Sequence, residues 1–128
     1  MIPKFRAWHN DLGRMMSISY MWFNVDSLEE IGLDDAVTND YITVSPDEIE
    51  LMQSTGLKDK NGQEIFEGDI LTSQNYPVKG VVEFRTDLGL WVHYLKGYNY
   101  FEYLGNVAGS KEILGNIYEN PEFLEVKP

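Results

Sequence analysis

Hydrophobic and polar positions along the chain alternate with a period of two over short runs, and turn-forming residues break the runs at close intervals. Ile2 to His9 and Arg14 to Phe23 are rich in aromatic and branched residues. Between them Asn10-Asp11-Leu12-Gly13 favours a turn with positive φ at Gly13, so the pattern predicts an N-terminal hairpin. Ser45-Pro46-Asp47-Glu48 has the spacing of a capping box and predicts one helical turn near Pro46 to Glu50. Lys58 to Gln63 contains Asn61-Gly62, the preferred pair of a two-residue type I′ connection between strands. Glu67-Gly68-Asp69 marks a second bend, in which the Asp69 carboxylate can accept backbone N–H groups.

From Val81 to Tyr94 the period of two is plain. Val82 and Phe84, then Leu90, Val92 and Tyr94, are expected on one face, and Glu83, Arg85 and His93 on the other. His93 is therefore expected to be a solvated or strand-pairing residue. Thr86 to Gly89 fits a type I turn closed by a left-handed Gly89. Tyr98 to Leu104 and Glu112 to Tyr118 give two more short strands, and Asn120-Pro121 ends regular structure. Roughly six to eight short strands, with at most one or two short helical turns, predict a mainly β fold, a small barrel or sandwich, and strands this short favour a compact barrel.

Composition narrows the function more than the fold. A length of 128 residues suits one structural unit, with residues 1–44 as an N-terminal hairpin and acidic region and 45–128 as the barrel. The absence of Cys removes disulfide frameworks, thiolate zinc sites, iron–sulfur clusters and cysteine nucleophiles together. No apolar run approaches the roughly 20 residues that cross a bilayer, and Lys4 and Arg6 interrupt the start, so a reducing cytosol is the expected compartment. With 21 acidic against 10 basic side chains the net charge is -11, which repels phosphate backbones and anionic lipid at long range. Direct nucleic-acid binding and membrane association are both disfavoured. From Asn24 to Glu50 there are many carboxylates and no Lys or Arg, and the irregular apolar spacing there predicts a solvated loop region with short structured pieces.

No cofactor, metal or catalytic constellation stands out. His9 and His93 are far apart and lack metal-ligand spacing. A calcium loop at Asp59 to Gly62 fails on register, because aligning Gly62 as the sixth position puts Leu57 first and Gly68 twelfth. Phosphate-binding and nucleophile-elbow motifs do not occur. Carboxylate pairs such as Asp34 with Asp35, or Glu67 with Asp69, are expected by chance in so acidic a chain. The unusual feature is aromatic: Trp91, Tyr94, Tyr98, Tyr100, Phe101 and Tyr103 lie close together, and Phe5, Trp8, Tyr20, Trp22 and Phe23 add to them. Filling the barrel accounts for many of these rings. For the remainder, Trp91, Tyr98, Tyr100, Phe101 and Tyr103 are the candidate interaction surface, since Tyr and Trp give rigid contact area with a polar handle. Gly56, Asn61, Gly62, Gly68, Asp69 and Gly89 read as structural turn residues.

The stretch Leu51 to Ile70, LMQSTGLKDKNGQEIFEGDI, strongly resembles the YopX family of phage and prophage proteins, and Lys4 to Trp8 and Gly115 to Glu122 agree with it. After Trp8 the family usually has Asp where this chain has His9. The resemblance implies a small SH3-type β-barrel in the C-terminal part and a bacteriophage or prophage gene, hence the cytoplasm of a bacterial host. It carries over no catalytic residue, cofactor or ligand. The function expected is a non-enzymatic accessory protein that works by protein contact, with itself or with a host or phage protein. The alternative is an acidic decoy that imitates nucleic-acid phosphates and occupies a basic host or defence protein. A small hydrolase using Asp and Glu is the third reading, with no residue pair to carry it.

Overall fold

Strands β1 (Phe5–His9) and β2 (Arg14–Asn24) form the expected N-terminal hairpin in a computed structural model that describes residues 4–73, 78–95 and 97–125. Gly13 takes a φ of 61° and its amide donates to the His9 carbonyl at 2.9 Å. The Leu12 amide donates to His9 Nδ1 at 3.1 Å, so the imidazole fills the acceptor role that an Asp carboxylate plays in an Asx turn. The chain divides between Gln53 and Ser54 into two compact units. That boundary lies beyond the division expected between residues 44 and 45, because Ile49 to Gln53 return to pair with β1.

In the first unit, β3 (Ser27–Asp34) and β4 (Tyr41–Val44) follow β2, and the first half of β5 (Ile49–Lys58) pairs with β1 from Phe5↔Gln53 to His9↔Ile49. The antiparallel order is β4-β3-β2-β1-β5. Ala7, Met16, Ile31, Leu33, Val44 and Ile49 make its core, flanked by Ile18, Met21, Leu28 and Ile42. The acidic stretch is thus mostly strand rather than the solvated loop expected. Ile31, Leu33 and Val44 supply a buried face, while Glu29, Glu30 and Asp34 stay exposed. Asp35 is the buried exception. It accepts from Arg14 at 2.9 Å and from the Val37 and Thr38 amides at 2.9 and 3.3 Å, and these amides lead the causes that hold its carboxyl below the usual range. Pro46–Glu48 forms the expected turn, of 3-10 type, with the Ser45 amide donating to the Glu48 carboxylate at 2.7 Å.

The second unit contains the rest of β5, then β6 (Glu64–Phe66), β7 (Asp69–Thr72), β8 (Gly80–Arg85), β9 (Leu90–Leu95), β10 (Tyr100–Tyr103), the single-turn helix α1 (Leu104–Val107) and β11 (Glu112–Asn116). β5 pairs with β6, and a five-stranded antiparallel sheet runs β10-β9-β8-β7-β11. Ile65, Leu71, Val82, Leu104 and Ala108 form the core, with Leu57, Trp91 and Ile113 against it. Among the described residues the strand pairs leave β10 and β11 as sheet edges, so hydrogen bonding forms two open sheets and does not close the compact barrel expected. Further 3-10 turns at Ala108–Ser110 and Pro121–Leu124 exceed the one or two helical turns predicted, and the second lies past Pro121, where regular structure was expected to end. No helix among the described residues is long and apolar enough to cross a membrane.

Two local expectations change. The β5–β6 connection is not a two-residue type I′ turn, because Gly62 alone in it takes positive φ, 80°. The Asp59 carboxylate organises a longer loop instead, accepting the Asn61 and Gln63 amides at 2.9 Å each, and its second oxygen accepts the Ile113 amide of β11 at 3.1 Å. Gly56, with φ 78°, sits within β5 where the register with β6 shifts, so it marks a bulge and not a turn. At the following bend Gly68 has φ 86° and Asp69 accepts the Phe66 amide at 2.8 Å.

Candidate functional site

The Thr86–Gly89 turn sets the geometry of the sheet. Leu88 and Gly89 donate to the Arg85 carbonyl at 3.1 and 2.8 Å, with Gly89 at φ 67°. Arg85 therefore pairs with Leu90 and Val82 with His93. Paired residues share a face, so His93 lies on the core side beside Val82 and has no exposed surface, which overturns the solvated position expected and leaves the strand-pairing one. β10 adds Glu102 opposite His93. The chain after α1 then brings in Lys111.

These three side chains form one polar cluster. Glu102 Oε1 lies 3.3 Å from His93 Nδ1 and 3.1 Å from Lys111 Nζ, and His93 Nε2 lies 3.3 Å from the Leu71 carbonyl. Burial depresses the His93 pKa, and the Lys111 charge adds to this against the opposing pull of Glu102 and the Leu71 carbonyl. Burial would raise the Glu102 pKa, but bonding to Lys111 and His93 outweighs it and the net shift is downward. A neutral imidazole has a single N–H to share between the Glu102 carboxylate and the Leu71 carbonyl, and the Glu102–Lys111 ion pair beside it leaves the cluster with little net charge.

The expected interaction residues separate into two sets. Trp91 is half-buried against the core and meets Phe84 edge-on at 5.1 Å. Tyr98, Tyr100 and Tyr103 are 67, 57 and 47% exposed. Tyr100, Phe101 and Tyr103, together with Glu102, Asn106 and Val107, line an open depression of about 500 Å³; Trp91 and Tyr98 do not line it. Phe101 and Tyr103 share a face with ring centroids 6.0 Å apart. The Arg85 guanidinium lies 4.9 Å over the Phe101 ring while forking onto Asp87 at 2.9 and 2.8 Å. Both contacts hold that ring in place and leave Tyr100 and Tyr103 as the accessible ones.

A second aromatic surface belongs to the first unit; the sequence shows its rings, but the candidate interaction surface did not include them. β1 pairs only Arg14–Ser17 of β2, and β4 pairs only Ile31–Asp34 of β3, so Met21–Asn24 and Ser27–Glu30 continue as a two-stranded ribbon. Trp22, Phe23 and Val25 on it are 54, 55 and 90% exposed. The available signal was length: the aromatic run ending at Phe23 is longer than the first strand can pair. Among the described residues no group of three or more acidic or histidine side chains is placed to hold a metal ion.

The YopX protein family matches residues 4–125. The chain belongs to the YopX family. Among solved structures, this YopX-family chain is similar to protein EF1440 from Enterococcus faecalis, at 28% identity over 98% of this chain and 99% of that one, with a TM-score of 0.72. It is also similar in fold to protein yopX from Bacillus subtilis, at 20% identity over 95% and 98% of the two chains, with a TM-score of 0.59. No curated protein matches the chain significantly.

Proposed function

We propose that this YopX-family chain is a non-enzymatic accessory protein of a phage or prophage, working in the bacterial cytoplasm by protein contact through the rings of β10 and the preceding turn. The observation that carries the reading is the exposure of Tyr98, Tyr100 and Tyr103, of which Tyr100 and Tyr103 line an open depression. Tyrosine rings left outside a core offer contact area with a hydroxyl at the tip and lose little conformational entropy on binding. In the finer fold reading the second unit is an SH3-type module. The strand order β11-β7-β8-β9-β10, with short helical turns before the last strand, supports it.

The partner is a protein, a second copy of the chain included. The test is light scattering after size exclusion, alone and after incubation with host lysate, for the wild type and for the Tyr100→Ala/Tyr103→Ala double variant. A salt-resistant complex that the double variant loses while melting at the same temperature supports the reading. A complex retained by the double variant overturns it.

A further inference from the structure

The outer face of β2, β3 and β4 in the first unit is an uncovered aromatic surface with a defined chemistry. Register places Tyr20 opposite Gly32 and Trp22 opposite Glu30, with Thr43 beyond Gly32, and pairs Asp34 with Tyr41. These residues share one face, because Ile31, Leu33 and Val44 point the other way into the core. Trp22 and Tyr41 are 54 and 55% exposed. Tyr20 is fixed between them. Its ring lies over Gly32, where a Cβ would come within 2.3 Å of it; it stands 6.5 Å from the Tyr41 ring; and its hydroxyl donates to the Glu30 carboxylate. That bond, followed by the contact with Tyr41, raises the phenol pKa.

From Met15 to Leu57 the sequence contains no Lys or Arg, so β2, β3 and β4 themselves present carboxylates and no cation on this face; the basic residue that register sets at its margin is Arg6 of β1, in line with Ser17, Asp34 and Tyr41. We propose that the face docks an arginine-presenting segment of a protein partner. A guanidinium stacks flat on Trp22 or Tyr41 and forks onto Glu30 or Asp34 in the same pose, which a lysine ammonium does not do as well. The contacts that hold Tyr20 and Glu30 before binding lower the ordering cost. This inference rests on the reading that the chain works by protein contact, and it names the chemistry of one partner.

The test titrates the full chain with a peptide of alternating Arg and Ser and with its Lys counterpart, following the Trp22 indole N–H by NMR and affinity by calorimetry. The Arg peptide is expected to shift the Trp22 resonance and to bind about 2- to 5-fold more tightly than the Lys peptide. Trp22→Ala is expected to lower Arg-peptide affinity by about the same factor. Thr43→Arg, which places a cation on the same face, is expected to weaken it too and serves if the first variant folds poorly. An unmoved Trp22 resonance, or equal binding of both peptides with Trp22→Ala unchanged, overturns the proposal and leaves only general charge attraction. If that occurs while the Tyr100→Ala/Tyr103→Ala variant still loses its partner, the proposal falls and the broader reading stands.

Discussion

Replacing Asp59 with Asn changes one oxygen to an NH2 group and tests what ties the β5–β6 loop to β11. Asp59 is 6% exposed, and its carboxylate accepts three backbone amides, from Asn61, Gln63 and Ile113. In the variant the carbamoyl oxygen keeps two of these bonds at neutral strength, a loss of about 1 kcal/mol or less each. The NH2 group then faces the third amide, and a buried donor left without an acceptor costs about 1–3 kcal/mol. The expected loss is about 3 kcal/mol, which a domain with about 5–15 kcal/mol of stability survives. At a typical urea m-value of about 2 kcal/mol/M the midpoint falls by about 1.5 M. Burial would raise the Asp59 pKa, but the amides from Ile113, Gln63 and Asn61, with the Lys60 charge, outweigh it and hold the carboxyl below its usual range. With the folded pKa depressed, the carboxylate's contribution is complete above the unfolded value of about 3.9 and disappears as the pH falls through the folded value. The gap between wild type and variant therefore holds down to about pH 4 and narrows as the pH falls below about 3.9 toward the folded value. Urea melts at several pH values check both statements. A midpoint shift under about 0.3 M at neutral pH, or a gap that does not change with pH, refutes the reasoning.

Gly80→Ala puts a Cβ 2.6 Å from both His93 Nε2 and the Tyr94 carbonyl oxygen; thermal melts are expected to show a loss of about 1–3 kcal/mol, because the backbone oxygen cannot swing aside. Lys111→Met removes a charge that depresses His93, so an NMR titration of the His93 ring is expected to show a higher pKa than in the wild type; an unchanged value contradicts the cluster as drawn. Because the folded His93 pKa lies below its unfolded value of about 6.5, acid favours the unfolded chain, and stability is lost as the pH falls from about 6.5 toward the folded value. His93→Gln is expected to flatten that part of the stability profile, measured by denaturant midpoints at pH 7 and 5.

Elements whose cause is local were legible in the sequence. Gly13, Gly89 and the Ser45–Glu48 box each act within a few residues, and each appears where the sequence put it. Errors arose where the cause is distant or depends on register. His93 was assigned to the wrong face because strand pattern alone cannot tell whether Val82 shares a side with His93 or with Val92; the Arg85↔Leu90 pairing decides it. β3 and β4 were hidden because their carboxylates dominate the composition while only Ile31, Leu33 and Val44 reveal a buried face. The Asp59 loop takes its shape partly from Ile113, 54 residues away, which no turn signature records. Among the rings, Trp91 could not be separated from Tyr98, Tyr100 and Tyr103 before the core side of the sheet was known. The Trp22 face needed the pairing limits of β1 and β4.

The boundary between the units falls inside β5, at Gln53 and Ser54, and not in a linker. Recombination joins domains most easily where a few extra or missing residues do no harm. Here a single inserted residue would exchange the two faces of everything after it in the strand. The halves of this protein are therefore expected to be inherited together, with length changes among relatives collecting at hairpin tips such as Val25-Asp26 and the turn from Ala36 to Asn39.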